Sequence, residues 1–160
     1  GRRLGLTNAE IKAGIESAGT ISGRTNMLHV KDMLVIDDCY NANPISMKAS
    51  IDVLSHADGR KIAVLGDMGE LGTNEKELHY GVGEYLATKN IDVLFTAGTL
   101  AEEIARGMQE NGGTCEVHTF ADREKMTEKL AAFVKAGDTI LVKASHFMQF
   151  PKVVEALTRE

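Results

Sequence analysis

From residue 60 onward, short apolar runs alternate with longer stretches in which apolar positions recur at helical spacing. Lys61 to Leu65, Val93 to Thr96, Glu116 to Phe120 and Thr139 to Val142 have the length and composition of strands. Helices are predicted to start near Pro44, Asn74, Leu100, Asp122 and Pro151. The runs Ile62-Ala63-Val64-Leu65 and Ile140-Leu141-Val142 are apolar at every position rather than at every second one. Such strands must be covered on both faces, the condition of a parallel sheet between two layers of helices. Upstream, Arg24 to Val30 and Met33 to Asp37 read as two extended runs joined by Lys31 and Asp32, a hairpin signal. Earlier still, Thr7 and Glu10 stand at capping-box spacing, Ile11 and Ile15 lie one helical turn apart, and Gly19 ends the pattern. The predicted fold is α/β: a Rossmann-like, doubly wound, mostly parallel sheet with helices on both faces and an N-terminal β-hairpin. A boundary is expected near residue 22, where the first helix gives way to the hairpin.

Composition narrows the class without naming a function. With 160 residues the chain has material for one sizeable core but not for a second full domain. Hydrophobic and charged fractions of 43% and 26% are those of an ordinary globular protein, and the net charge of −5 gives no electrostatic reason to bind nucleic acid or anionic membrane. No apolar run is long enough to span a bilayer. Cys39 and Cys115 lie far apart, which together with the lack of a signal peptide favours reduced thiols and a cytoplasmic setting. The start at Gly1, running directly into a helical pattern, suggests an excised fragment.

In an open parallel sheet the ligand crevice lies outside the carboxyl ends of the strands. Three polar clusters fall there: Asp37-Asp38-Cys39-Tyr40-Asn41-Ala42-Asn43-Pro44, Gly66-Asp67-Met68-Gly69-Glu70-Leu71-Gly72, and Lys143-Ala144-Ser145-His146. The first offers two carboxylates able to accept from ribose hydroxyls or assist a metal, two carboxamides, and a proline suited to a helix start. Adjacent strand residues point to opposite faces, so one aspartate is expected to reach the crevice. The plainer alternative makes the aspartates a strand end and the asparagines turn formers. The glycine-rich cluster lacks the Lys-Ser/Thr pair of a P-loop and the dinucleotide fingerprint, and is expected to be an ordinary turn with Asp67 and Glu70 solvated. Lys143, Ser145 and His146 suit a carboxylate or phosphate, although a lysine there is more often surface-exposed. His29, His56 and His118 stand apart and no C-x-x-C occurs, which points away from zinc. The seven methionines are scattered, as gap-filling core residues are.

Asp38-Cys39-Tyr40-Asn41-Ala42-Asn43-Pro44 with Ser46-Met47 resembles the D-x-Y-N-A-N-P-x-S-M segment of the Mur ligase family, specifically of its UDP-N-acetylmuramoyl-tripeptide:D-alanyl-D-alanine ligases. Gly23-Arg24, Val64 to Gly72, His79 with Val82-Gly83, and Leu141 to Ser145 follow in that family's order. The resemblance implies that residues 1–22 are the closing helix of a central ATPase domain and residues 23–160 a C-terminal domain. It further implies a bacterial cytoplasmic enzyme of peptidoglycan synthesis that uses ATP and Mg2+, both bound mainly outside these residues, in N-terminal and central domains in cis. ATP would activate the tripeptide carboxylate as an acyl phosphate that D-alanyl-D-alanine attacks. By the same resemblance Arg24, Asp38 and Asn41 face the nucleotide, while Asn43, Lys143, Ser145 and His146 face the dipeptide. No P-loop or magnesium cluster is present, so the chain alone is expected not to catalyse. Two positions depart from the family's usual pattern: Ala144 replaces a glycine and His146 an arginine. A ligase for another amino acid or for folate would carry a histidine after the aspartate and a shorter step to proline. A free-standing nucleotide-binding Rossmann-like module would need its own phosphate-binding turn.

Overall fold

The computed structural model describes residues 25–159, so the helix expected from Thr7 and the candidate Arg24 lie outside the described residues. Strands β1 (Asn26–Val30) and β2 (Met33–Asp37) form the hairpin. Its two linking residues, Lys31 and Asp32, have φ of 50° and 60°, the positive values that match a two-residue turn to the twist of its strands. From there the chain alternates: α1 (Pro44–Ser55), β3 (Arg60–Gly66), α2 (Glu75–Ala87), β4 (Val93–Ala97), α3 (Ala101–Glu110), β5 (Glu116–Phe120), α4 (Arg123–Phe133), β6 (Asp138–Lys143) and α5 (Pro151–Thr158). Each strand and helix expected after residue 25 is present, with ends within about two residues of the pattern. The sheet order is β1-β2-β6-β3-β4-β5, antiparallel only between β1 and β2.

The continuous apolar runs have the expected cause. In β3, Ala63 and Leu65 point to one layer and Ile62 and Val64 to the other, and all four are buried. Helices α1, α2 and α3 cover the first face with Met47, Ile51, Val82, Leu86, Ile104 and Met108. Helices α4 and α5 cover the second with Met126, Leu130, Val153 and Leu157. Two dry layers flank β6, the strand that returns between β2 and β3, so each of its six residues is buried. Polar groups can leave this sandwich only at the strand ends.

Helix caps fix where the edge begins. Asn43 Oδ1 accepts from the Ser46 N–H at 2.8 Å and the Asn43 N–H donates to Ser46 Oγ at 3.1 Å, a reciprocal cap ahead of Pro44 at the first helical position. Asp122 Oδ1 accepts from the Lys125 N–H at 2.8 Å and caps α4 without a return bond.

Helices α2 and α3 pack backbone to backbone through glycine. A Cβ on Gly83 would lie 2.1 Å from the Ile104 carbonyl oxygen, and one on Gly107 would lie 2.3 Å from that of Tyr80. Gly83→Ala should therefore lower unfolding free energy by about 3 kcal/mol, since a helix backbone must move to admit one methyl. Gly81→Ala, two residues away and meeting only Glu84 Oε2 at 3.8 Å, should gain about 0.5–1 kcal/mol from helix propensity. Urea midpoints of the two variants check both signs.

Candidate functional site

The carboxyl edge is organised by a buried ion pair. Lys143, last residue of β6, has a side chain 2% exposed, and its Nζ donates to Asp38 Oδ2 at 2.5 Å and to the Asn41 carbonyl at 3.1 Å. The surface exposure expected of this lysine is corrected: its strand is central, so its stem has nowhere to go but along the core, and the ammonium emerges beneath the loop after β2. Asp38 Oδ2 also accepts from Ser50 Oγ at 2.6 Å, and Oδ1 from the Thr25 N–H and hydroxyl, each at 3.2 Å. Burial pushes the Asp38 carboxyl up, but the Lys143 and Ser50 hydrogen bonds, the Lys143 charge and the Thr25 N–H outweigh it and hold the group below its ordinary 3.8. As expected, only one of the adjacent aspartates reaches the crevice. Asp37 turns back to accept from the Cys39 N–H at 3.2 Å. The Cys39 thiol is buried among β-strand groups and donates to the Val142 carbonyl at 3.3 Å; burial, reinforced by Asp37, raises its pKa far out of the reactive range.

The glycine-rich turn after β3 is a hub. Asp67, expected to be solvated, is 8% exposed. Its Oδ1 accepts from the Leu100 and Ala101 N–H groups at 3.0 and 2.6 Å. This side chain supplies the cap that α3 lacks in its own sequence, and a carboxylate at a helix N-terminus is favourable. Glu70 is exposed, in agreement with expectation, but lies at φ 59°. The Gly69 N–H donates to Ser145 Oγ at 2.8 Å, and the Ser145 N–H donates to the Asp67 carbonyl at 3.0 Å. Ser145 Oγ is also 3.3 Å from the Ala42 carbonyl, which leaves the hydroxyl proton facing the loop of the first cluster.

Two clefts open onto this framework. One of about 390 Å³ is lined by Asp38, Asn41, Asn43, Ser50 and Lys143; another of about 420 Å³ is lined by Tyr40, Asn41, Gly69, Ser145, His146 and Phe147. Asn41, with its Oδ1 on the Ala42 N–H at 2.8 Å, stands between them. All six sequence-singled residues within the described region thus meet at one edge, four in the first cleft and three in the second with Asn41 shared. His146 and Asn43 are exposed on the rim, whereas Lys143 and Ser145 are buried beneath it. Several lining residues were not singled out by the sequence, Ser50, Thr25 and Phe147 among them. Ser50 is one turn beyond Ser46 on α1, a spacing that signals a shared face. Thr25 enters only through its contact with Asp38, and Phe147, 61% exposed, carries no local sequence signal. A larger hollow of about 930 Å³ lies at the opposite edge, between the hairpin and the end of α1. It is lined by Asp138, a buried carboxylate paired with Arg60 at 2.7 Å, and contains none of the six candidate residues, which all lie at the carboxyl edge.

This is a doubly wound α/β domain with a polar crevice at the carboxyl ends of its strands, the class in which ligands are held at such an edge. Residues 23–146 match the family described as Mur ligase, glutamate ligase domain, and the chain belongs to it. It is 33% identical over 159 residues to the UDP-N-acetylmuramoyl-tripeptide--D-alanyl-D-alanine ligase of Escherichia coli K12, covering 96% of this chain and 33% of that protein. A crystal structure of MurF from Acinetobacter baumannii superposes with a TM-score of 0.85 at 29% identity, over 98% of this chain and 35% of the other. MurF ligase from Thermotoga maritima, solved in complex with ADP, superposes at 0.77 with 34% identity over 98% and 35%. The chain thus spans about a third of the length of these relatives. Among the described residues no three His, Cys, Asp or Glu side chains gather as a metal site. Among them, too, no helix is long and apolar enough to cross a membrane.

Removing one partner of a buried pair strands the other, at a cost of about 3–5 kcal/mol. Lys143→Met should reach the lower part of that range in urea unfolding, and adding Asp38→Asn should recover part of the loss. Because the folded Asp38 pKa is lowered, its stabilisation is complete above the unfolded value and disappears as pH falls through the folded one. Below about pH 4 the wild-type urea midpoint should therefore fall more steeply than that of Asp38→Asn.

Proposed function

We propose that this chain is the C-terminal domain of an ATP-dependent ligase that joins D-alanyl-D-alanine to UDP-N-acetylmuramoyl-tripeptide in bacterial cytoplasmic peptidoglycan synthesis. Residues 23–160 form that domain, and residues 1–22 belong to the end of a preceding ATPase domain. The observation that carries this reading is the meeting of Asp38, Asn41, Asn43, Lys143, Ser145 and His146 at one sheet edge, within a chain one-third identical to ligases of that name. Arg24, Asp38 and Asn41 face the nucleotide. Asn43, Lys143, Ser145 and His146 belong to the dipeptide side, and Lys143 also joins it to the nucleotide side by holding Asp38 and the Asn41 carbonyl in place.

In the reaction, the tripeptide carboxylate takes the γ-phosphoryl group and releases ADP. The dipeptide amine then attacks the acyl carbon, phosphate leaves, and the amine proton passes to solvent or base. This domain contributes orientation and exclusion of water. An amine held at the acyl carbon gains over one free in solution, and a hydrolysable acyl phosphate survives only where water is kept out. The phosphoryl-gripping groups and the divalent ion belong to the other domains, and a hinged domain that closes on them completes the site.

Asp38→Ala and Arg24→Ala in the complete enzyme should each lower ligation on the order of a hundredfold, the usual cost of a misplaced reactant, while circular dichroism stays native. Wild-type rates in both variants would overturn the assignment. Titration of this chain with D-alanyl-D-alanine, followed by amide NMR, should move resonances between Asp38 and Asn43 or Lys143 and His146. Tight ATP binding by the isolated chain would instead indicate a self-sufficient nucleotide module.

A further inference from the structure

One buried titratable side chain at this edge takes no part in the proposed chemistry. His79, in the first turns of α2, is fully buried. Its Nε2 accepts from the Met68 N–H at 2.8 Å and its Nδ1 lies 2.6 Å from the Glu75 carbonyl. An amide N–H can only donate and a carbonyl can only accept, so the proton sits on Nδ1 and the ring is the neutral bridge between them. Met68 immediately precedes Gly69, whose N–H holds Ser145 Oγ. The turn so held is bent to positive φ at Glu70 (59°), a conformation that a non-glycine residue keeps only where its surroundings enforce it.

We propose that His79 is a positioning residue of the ligase site: through the Met68 amide it fixes the turn from Gly66 to Gly72, and through the Gly69 amide that turn places Ser145 beneath the cleft lined by Tyr40, Asn41 and His146, which on the functional reading takes the dipeptide. The identity of the ligand rests on the functional reading above, whereas the relay rests on the hydrogen bonds alone. Asp67 secures the same turn to α3, so losing the His79 tie frees its outer half, Met68 to Gly72, without unfolding its base. A leucine at 79 fills the space but cannot accept a hydrogen bond. A glutamine places a carbonyl oxygen near the position of Nε2.

Two measurements test this. In amide NMR of this chain, His79→Leu should move the Met68, Gly69 and Ser145 resonances and leave those of β5 in place, with His79→Gln returning them towards wild type. In the complete enzyme, His79→Leu should raise KM for D-alanyl-D-alanine roughly tenfold, about one hydrogen bond, leave KM for ATP unchanged, and be largely rescued by His79→Gln. Unmoved Gly69 and Ser145 resonances in His79→Leu would overturn the relay. An equal loss in both KM values, or no rescue by glutamine, would reduce His79 to a core residue. A wild-type enzyme that does not ligate would refute the functional reading alone, because the resonances of this chain report the relay without substrate. Should His79→Leu fail to fold, the His79→Gln spectrum still decides: retained Gly69 and Ser145 positions support the relay, and displaced ones with a native sheet overturn it.

Discussion

An ammonium group carried to the end of a strand buried on both faces must find acceptors within reach or remain an uncompensated charge. Lys143 stands in that position because β6 returns between β2 and β3. Its acceptors are the Asp38 carboxylate and the Asn41 carbonyl, both on the loop after the neighbouring strand. A pair this dry adds little net stability compared with apolar side chains of the same volume, since desolvation consumes most of the attraction. Its effect is on geometry: the loop has one arrangement in which the charge is satisfied, and that arrangement sets Asp38, Asn41 and the cap of α1.

The remaining edge follows the same logic with neutral groups. Three loops leave the sheet side by side, and each ends in backbone donors or acceptors that no strand partner satisfies. Ser145 bridges the first and second through Ala42 and Gly69, Asp67 ties the second to α3, and His79 ties it to α2. Buried polar networks of this kind are stable only when each member is paired, which makes them rigid. A rigid edge with exposed side chains at Asn41, Asn43 and His146 suits a surface that orients a ligand.

The chain matches its family over residues 23–146 and spans about a third of the length of its relatives. Under the proposed function this domain would raise the rate through placement, because orientation alone can account for a large part of a bimolecular barrier. Glycine serves the same end in the scaffold. The close approach of α2 and α3 at Gly83 and Gly107 sets the height of α2, and with it the position of His79 beneath the turn.

Strands and helices after residue 25 were legible because each is a local pattern: apolar runs at Ile62 to Leu65 and Ile140 to Val142, an Asn43 cap before Pro44, a two-residue link at Lys31 and Asp32. The clustering of polar residues at one edge was legible too, because parallel strands all end on the same side. What sequence alone misjudged was burial at that edge. Asp67 and Lys143 are charged residues in loops or at strand ends, where exposure is the rule, and nothing nearby in the chain names their partners. Those partners are Leu100 and Ala101 for one, 33 and 34 residues away, and Asp38 for the other, 105 residues away. Ser50, Thr25 and the His79 bridge were hidden for the same reason. Local spacing determines which elements form, whereas the satisfaction of a buried charge or amide depends on which distant segments the sheet order brings together, and only the tertiary structure decides that.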